Sequence, residues 1–168
     1  VNQLPIISIS NQTICVSQSA TLTANGASTY SWSTNSTANP IIVSPNTTSV
    51  YTVTGSHLGC SAIKAVTITV NDGPIVSFNS NKVSGCAPLC VQFSDLTVVS
   101  SATITNWNWT FNNGITSTLQ NPLNCFNKDG TYNVGLTVTT SNGCISTYSV
   151  PNMIIVHPTP NAEFSSDL

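Results

Sequence analysis

Apolar and polar residues alternate with a period of two along most of this chain, and the 3.6-residue period of a helix is nearly absent. Ala20-Thr21-Leu22-Thr23-Ala24, Tyr51-Thr52-Val53-Thr54 and Ala65-Val66-Thr67-Ile68-Thr69-Val70 each predict a strand with one apolar face. Val91-Gln92-Phe93, Trp107-Asn108-Trp109-Thr110-Phe111 and Tyr132-Asn133-Val134-Gly135-Leu136-Thr137-Val138 do the same. Between them stand the turn signals Asn25-Gly26, Asn113-Gly114, Asp129-Gly130 and Asn142-Gly143. Many short strands at this spacing predict an all-β protein, a sandwich or a barrel.

A repeat sets the organisation. Val70-Asn71-Asp72-Gly73-Pro74 leads into Ile75-Val76-Ser77-Phe78. The same pattern opens the chain at Val1 to Pro5, with Ile7 and Ile9, and returns at Val156 to Pro160, with Ala162 and Phe164. Each Val reads as the end of a last strand and each Pro as the start of the next first strand, because proline fixes φ and donates nothing to a ladder. The expected fold is two tandem immunoglobulin-like β-sandwiches. Residues 1–4 end a preceding unit or linker, 5–70 form an Ig-like domain, 71–73 a linker and 74–156 a second domain. Residues 157–168 then hold a linker and the first strand of a following domain. In that register Pro160, Ala162 and Phe164 are an assembly tail, expected to pair as an edge strand with a neighbouring copy or the continuing polypeptide, head to tail.

The six cysteines repeat as well. Cys15 and Cys86 each stand five residues before the second strand of their unit, and Gly59-Cys60 and Gly143-Cys144 each open its last strand. The repetition predicts Cys15–Cys60 and Cys86–Cys144, leaving Cys90 for Cys125; four cysteines in the second unit allow three connectivities. Closing the first of these loops would remove about 4 kcal/mol of unfolded-state entropy on the chain model. An even count without a CxxC favours disulfides and an oxidising compartment. A four-thiolate zinc site is disfavoured, since structural zinc takes its cysteines as close pairs.

Composition narrows the function. Apolar residues are 40% of the chain, enough for real cores, but charged residues are only 5%, with three lysines (Lys64, Lys82, Lys128) and a net charge of −2. Nucleic-acid binding by phosphate neutralisation is excluded. No run of 18 apolar residues is present, so no membrane-spanning helix is expected. Val1 to Pro5 lacks the basic and apolar regions of a signal peptide, so a leader, if there is one, precedes Val1.

Trp107-Asn108-Trp109-Thr110-Phe111-Asn112-Asn113-Gly114, then Asn121-Pro122, then Gly130-Thr131-Tyr132-Asn133-Val134-Gly135-Leu136-Thr137-Val138 resemble the PKD domain, whose pattern is W-x-F-G-D-G, N-P, then G-x-Y-x-V-x-L-x-V. The resemblance covers about residues 74–156. It departs at Asn112-Asn113, which replace the family's Gly-Asp and leave open what fixes that turn. Cys86-Ala87-Pro88-Leu89-Cys90 with Cys125 is similar to PKD domains of giant surface proteins that gliding bacteria export by type IX secretion. Thr13-Ile14-Cys15, Tyr30-Ser31-Trp32-Ser33 and Tyr51-Thr52-Val53-Thr54-Gly55 resemble the Ig-like repeats that accompany them. The resemblance implies an extracellular or cell-surface protein, a spacer or adhesive role, and neighbours of the same type.

Chemistry-bearing residues point the same way. His57 and His157 have no nucleophile motif, and a catalytic triad needs an acid behind its base. Asp72, Asp95, Asp129, Glu163 and Asp167 fall mostly at turns and junctions, where Asp is ordinary. No catalytic site, cofactor or metal is expected; calcium at the junction, through Asp72 with Asp95 or Asp129, is the conceivable exception. Trp32, Trp107, Trp109, Phe111 and Tyr132 are expected in the cores, with Trp107, Trp109 and Phe111 sharing one side of a strand. The alternative use of the tryptophans is as a carbohydrate platform. Sequons at Asn11, Asn35, Asn46 and Asn108 are ordinary in a chain so rich in Asn and Thr. The expected function is a structural spacer or adhesive repeat of a long secreted cell-surface protein or filament. The alternative is an accessory module of a secreted hydrolase, carbohydrate-binding in one form.

Overall fold

A computed structural model describes residues 3–160. The chain is all-β and divides into two compact units between Asp72 and Gly73. The expected tail residues Ala162 and Phe164 lie outside the described residues, and Pro160 is exposed.

Unit 1 contains β1 (Gln12–Cys15), β2 (Ala20–Leu22), β3 (Thr29–Trp32), β4 (Ile41–Val43), β5 (Ser49–His57) and β6 (Cys60–Asn71). One sheet has the order β1-β6-β5-β3 and the other pairs β2 with β4. Alternation does what it predicts: Ala20, Leu22 and Ala24 point inward while Thr21 and Thr23 face water. With Val53, Val66 and Ile68 they surround Trp32, whose indole N–H donates to the Ala38 carbonyl at 2.9 Å. Gly55 is required here, because a Cβ would lie 2.2 Å from Ile7 Cδ1 and 2.8 Å from Ala27 Cβ.

Unit 2 contains β7 (Phe78–Ser80), β8 (Ser84–Cys86), β9 (Leu89–Asp95), β10 (Ile104–Thr110), β11 (Thr116–Ser117), β12 (Leu123–Phe126), β13 (Gly130–Thr140) and β14 (Ile145–His157). Its sheets have the orders β11-β10-β13-β14-β8 and β12-β9-β7. Pro151 fits inside β14 because it falls where the β13 ladder is interrupted, between Val150 and Ile154, and β8 pairs only with Ile155–His157.

The core of unit 2 is aromatic. Trp109 and Phe111 stack at 6.1 Å with planes 6° apart, Phe78 meets Trp109 edge-on at 5.1 Å, and Phe93 lies 5.0 Å from Phe111. Trp109, Phe93, Phe111 and Phe126 are fully buried. Trp107 and Tyr132 are half-buried and pack against the same cluster, so Trp107, Trp109 and Phe111 share one side of the strand.

Two of the three expected disulfides do not form, for one reason in both units. β1 runs parallel to β6 and places Cys15 beside Asn71, at the end of β6, whereas Cys60 begins that strand. β8 runs parallel to β14 and places Cys86 beside His157, at the end of β14, whereas Cys144 precedes that strand's first residue. At about 3.3 Å per residue each pair is separated by roughly 35–45 Å, against less than about 7 Å for a disulfide. Cys86 is an exposed free thiol. Cys90–Cys125 is a disulfide with a Cα–Cα distance of 3.9 Å, joining directly opposed residues of β9 and β12.

Candidate functional site

A surface hollow lies on unit 2 beside this disulfide. Asn113, Ile115, Cys125, Asn127, Lys128 and Tyr132 line a space of about 390 Å³. Its rim is set by the turn after Phe111. Asn112 adopts φ 52° and Gly114 φ 83°, and Asn113 Oδ1 accepts the Ile115 N–H at 3.1 Å. Asn is among the few side chains that tolerate this left-handed conformation, so Asn112 does what the family's glycine does. Asn113 supplies a carboxamide oxygen where the family has a carboxylate, closing the same local turn. The Gly-Asp to Asn-Asn departure therefore removes a negative charge and keeps the turn.

On the opposite rim the Tyr132 hydroxyl donates to the Lys128 carbonyl at 2.8 Å, which fixes the ring against Phe126 at 4.6 Å. The hollow presents two carboxamides, an ammonium and an aromatic ring. These groups can hydrogen-bond a neutral polar ligand; they supply no nucleophile or paired carboxylates.

The tryptophans offer no platform. Trp109 is fully buried and its indole N–H donates to the Leu119 carbonyl at 3.0 Å. Trp107 donates to Asp95 Oδ2 at 2.7 Å, and Asp95 Oδ1 accepts the Thr97 N–H at 2.9 Å. Asp95 is thus occupied as a hydrogen-bond acceptor inside unit 2. Among the described residues no three His, Cys, Asp or Glu side chains gather as a metal site.

One pair escaped sequence reasoning. Ser28 Oγ and His57 Nδ1 lie 2.6 Å apart on the surface of unit 1. His57 ends β5, and β3–β5 pairing brings residue 28 to it. Separation by 29 positions hides such a pair from any motif search. A catalytic triad would need an acid behind the imidazole. The one acid of unit 1, Asp72, follows the far end of β6, whereas His57 opposes Cys60 at its start. The pair is a surface hydrogen bond.

Among the described residues no helix is long and apolar enough to cross a membrane. No match was found among curated proteins. Among solved structures the chain is similar to the PKD1 domain of the Vibrio cholerae metalloprotease PrtV, at 29% identity and a TM-score of 0.43, covering 49% of this chain and 98% of that one. It is also similar to the PKD1 domain of Vibrio anguillarum Epp, at 24% identity and a TM-score of 0.46, covering 52% and 99%. A third structure, of carbohydrate-binding modules from the β-sandwich superfamily, aligns at 23% identity and a TM-score of 0.49, covering 56% and 39%. The sequence profile of the PKD domain matches residues 71–155, half of the chain. Through its second unit the chain belongs to the PKD domain family.

Proposed function

We propose that the chain is a non-catalytic spacer or adhesive segment of a long extracellular, cell-surface protein or filament, with an Ig-like domain at 5–70 and a PKD domain at 74–156. The observation that carries this reading is where the chain enters and leaves each sandwich. In unit 2 Gly73 lies against Ser146, one residue past the start of β14, and the chain leaves at His157, that strand's end. In unit 1 Ile7 packs on Gly55, which opposes Ala62 near the start of β6, and the chain leaves after Asn71. Each unit thus carries the polypeptide roughly 30–35 Å along its last strand, at about 3.3 Å per residue.

A module that returned its chain to the starting end would add bulk without reach; these add reach. The near-uncharged surface suits contacts that vary little with salt. Export by type IX secretion, head-to-tail neighbours and an edge-strand role for residues 160–168 belong to the same reading. The test is replacement of both units, in the secreted protein, by an unrelated rigid spacer of equal length. Retained function of the distal part supports a mechanical role, and its loss at unchanged length discards it.

A second reading rests on the hollow at Tyr132, whose carboxamides suit sugar hydroxyls. Under it, the module is an accessory carbohydrate-binding part of a secreted hydrolase. A glycan array probed with the intact chain and with Asn127→Ala separates the two: binding abolished by the substitution supports this reading, and a blank array removes it.

A further inference from the structure

Unit 1 lies outside the residues that match the PKD domain, and it carries a hollow of its own. Ser28, Thr29, Tyr30, Thr37 and Asn39 line a space of about 590 Å³ at the outer edge of β3. Ser33 donates its N–H to the Thr52 carbonyl at 2.9 Å, so the odd-numbered residues of this register bond to β5 and the even-numbered ones face the open edge. Trp32 spends its outward groups on a turn, donating to the Ser36 carbonyl at 2.9 Å and accepting the Asn35 N–H at 2.9 Å. Beyond that turn residues 37–39 leave β3 unpaired, since its one strand neighbour is β5. The hollow is a wedge, closed at Trp32 and open toward Ser28 and Asn39.

Both walls are fixed by bonds of their own. On one, Asn39 Oδ1 accepts the Ala24 N–H at 2.9 Å and Asn39 Nδ2 donates to the Ala24 carbonyl at 2.7 Å, while the Trp32 indole holds the Ala38 carbonyl. On the other, the Tyr30 hydroxyl accepts the Ala27 N–H at 3.0 Å, and the Ser28 N–H donates to the Ser56 carbonyl at 3.0 Å. These bonds leave a defined remainder. The backbone N–H and C=O of Tyr30 and of Thr37, and the hydroxyls of Thr29 and Thr37, have no partner among the described residues.

We propose that this wedge is a binding site for a neutral sugar ring. It lies on the other unit from the hollow at Tyr132, and it stands whether or not the segment works as a spacer.

The remainder selects the ligand. Sugar hydroxyls both donate and accept, and the walls offer N–H donors, carbonyl acceptors and two hydroxyls that do both. Of the charged residues of the chain only Lys64 and Asp72 fall in unit 1, and neither lines the hollow. An ionic ligand would lose water there and gain no counter-charge. Closure at Trp32 and Ser36 stops an extended peptide from running through, whereas a compact ring fits a wedge with one blind end. The volume lies within the range of small-molecule sites, about 300–1,000 Å³. Walls pinned before the ligand arrives spare the cost of ordering them.

The test is an array of neutral and sialylated oligosaccharides probed with the intact chain, with Thr29→Val/Thr37→Val and with Asn127→Ala. The expected result is binding to a neutral oligosaccharide that persists at high salt. It should weaken roughly tenfold in the double valine variant, which keeps both side-chain shapes and loses two hydroxyls, and hold in Asn127→Ala. Amide NMR of the unsubstituted chain gives a readout that needs no variant. Titration with the same oligosaccharide should shift the Tyr30 and Thr37 resonances and spare Asn113 and Asn127. Competition by the free monosaccharide extends the site to soluble sugars, and competition by the oligosaccharide alone restricts it to glycans; either keeps the proposal. A blank array, binding confined to sialylated glycans, or Tyr30 and Thr37 resonances that stay in place overturns it. The spacer exchange reads the distal part instead, so the two readings fail separately.

Discussion

The two units solve the same packing problem with different materials. Unit 1 fills a small interior with one tryptophan among aliphatic side chains, and uses Gly55 to let Ile7 approach. Unit 2 gathers Phe78, Phe93, Trp109, Phe111 and Phe126 into a ring-on-ring cluster and ties two neighbouring strands of one sheet with Cys90–Cys125. Aromatic pairs add about 0.5–1.5 kcal/mol each beyond the area they bury. The shared frame does not depend on either filling; it depends on two sheets and a last strand that a short edge strand follows in parallel.

The sharpest way to break this comparison is Trp109→Ala. It removes the centre of the aromatic cluster and leaves the Leu119 carbonyl without its donor, so the unit 2 transition should lose about 3–5 kcal/mol. The unit 1 transition should stay in place in the same denaturation experiment. If alanine leaves the melting of unit 2 unchanged, the aromatic core is not what holds it. Reduction of Cys90–Cys125 is next, and the Cys90→Ala/Cys125→Ala pair should lower unit 2 alone by about 2–4 kcal/mol, read as a shift of one urea midpoint. Equal shifts of both transitions would show that the units do not melt separately.

Gly55→Ala reverses the target. The added methyl must displace Ile7, and overpacking of this kind costs about 1–3 kcal/mol, confined to unit 1. The smallest effect is expected at Asn112→Gly. Relief of the left-handed strain should raise unit 2 stability by a few tenths to about 1 kcal/mol, whereas the same substitution at a residue with ordinary negative φ would lower it. A loss at Asn112 would mean that its side chain has a role beyond the turn.

Much of this was legible in the chain. Period-two alternation located the strands at Ala20, Val66, Trp107 and Tyr132, and the parity of Trp109 and Phe111 placed both on the inner side. The repeated Val-x-x-x-Pro spacing marked the region where the units divide. The Cys90–Cys125 bridge was legible, but the other two pairings were not. Matching cysteine positions show that two residues are equivalent between units, but not which end of the last strand the first one meets. That depends on whether the edge strand runs parallel or antiparallel, and a single strand's sequence carries no sign of its partner's direction. The length of the last strand was the available signal. A strand of 12 or 13 residues holds its ends too far apart for one cysteine to serve both. The hollow beside Tyr132 and the Ser28–His57 pair were hidden for a related reason, since each unites positions that only strand pairing brings together.

The parallel edge strand has a consequence for a molecule under tension. Pulling on the two ends of a sandwich draws β1 and β6, or β8 and β14, past each other along their common axis. The bonds from Val16 to Asn71, and from Ala87 to His157, are then strained together with their neighbours rather than peeled one at a time. Four opposed residue pairs share that shear in unit 1 and three in unit 2. Unit 2 therefore has the shorter clamp, and under a rising load it is the unit that should slip first.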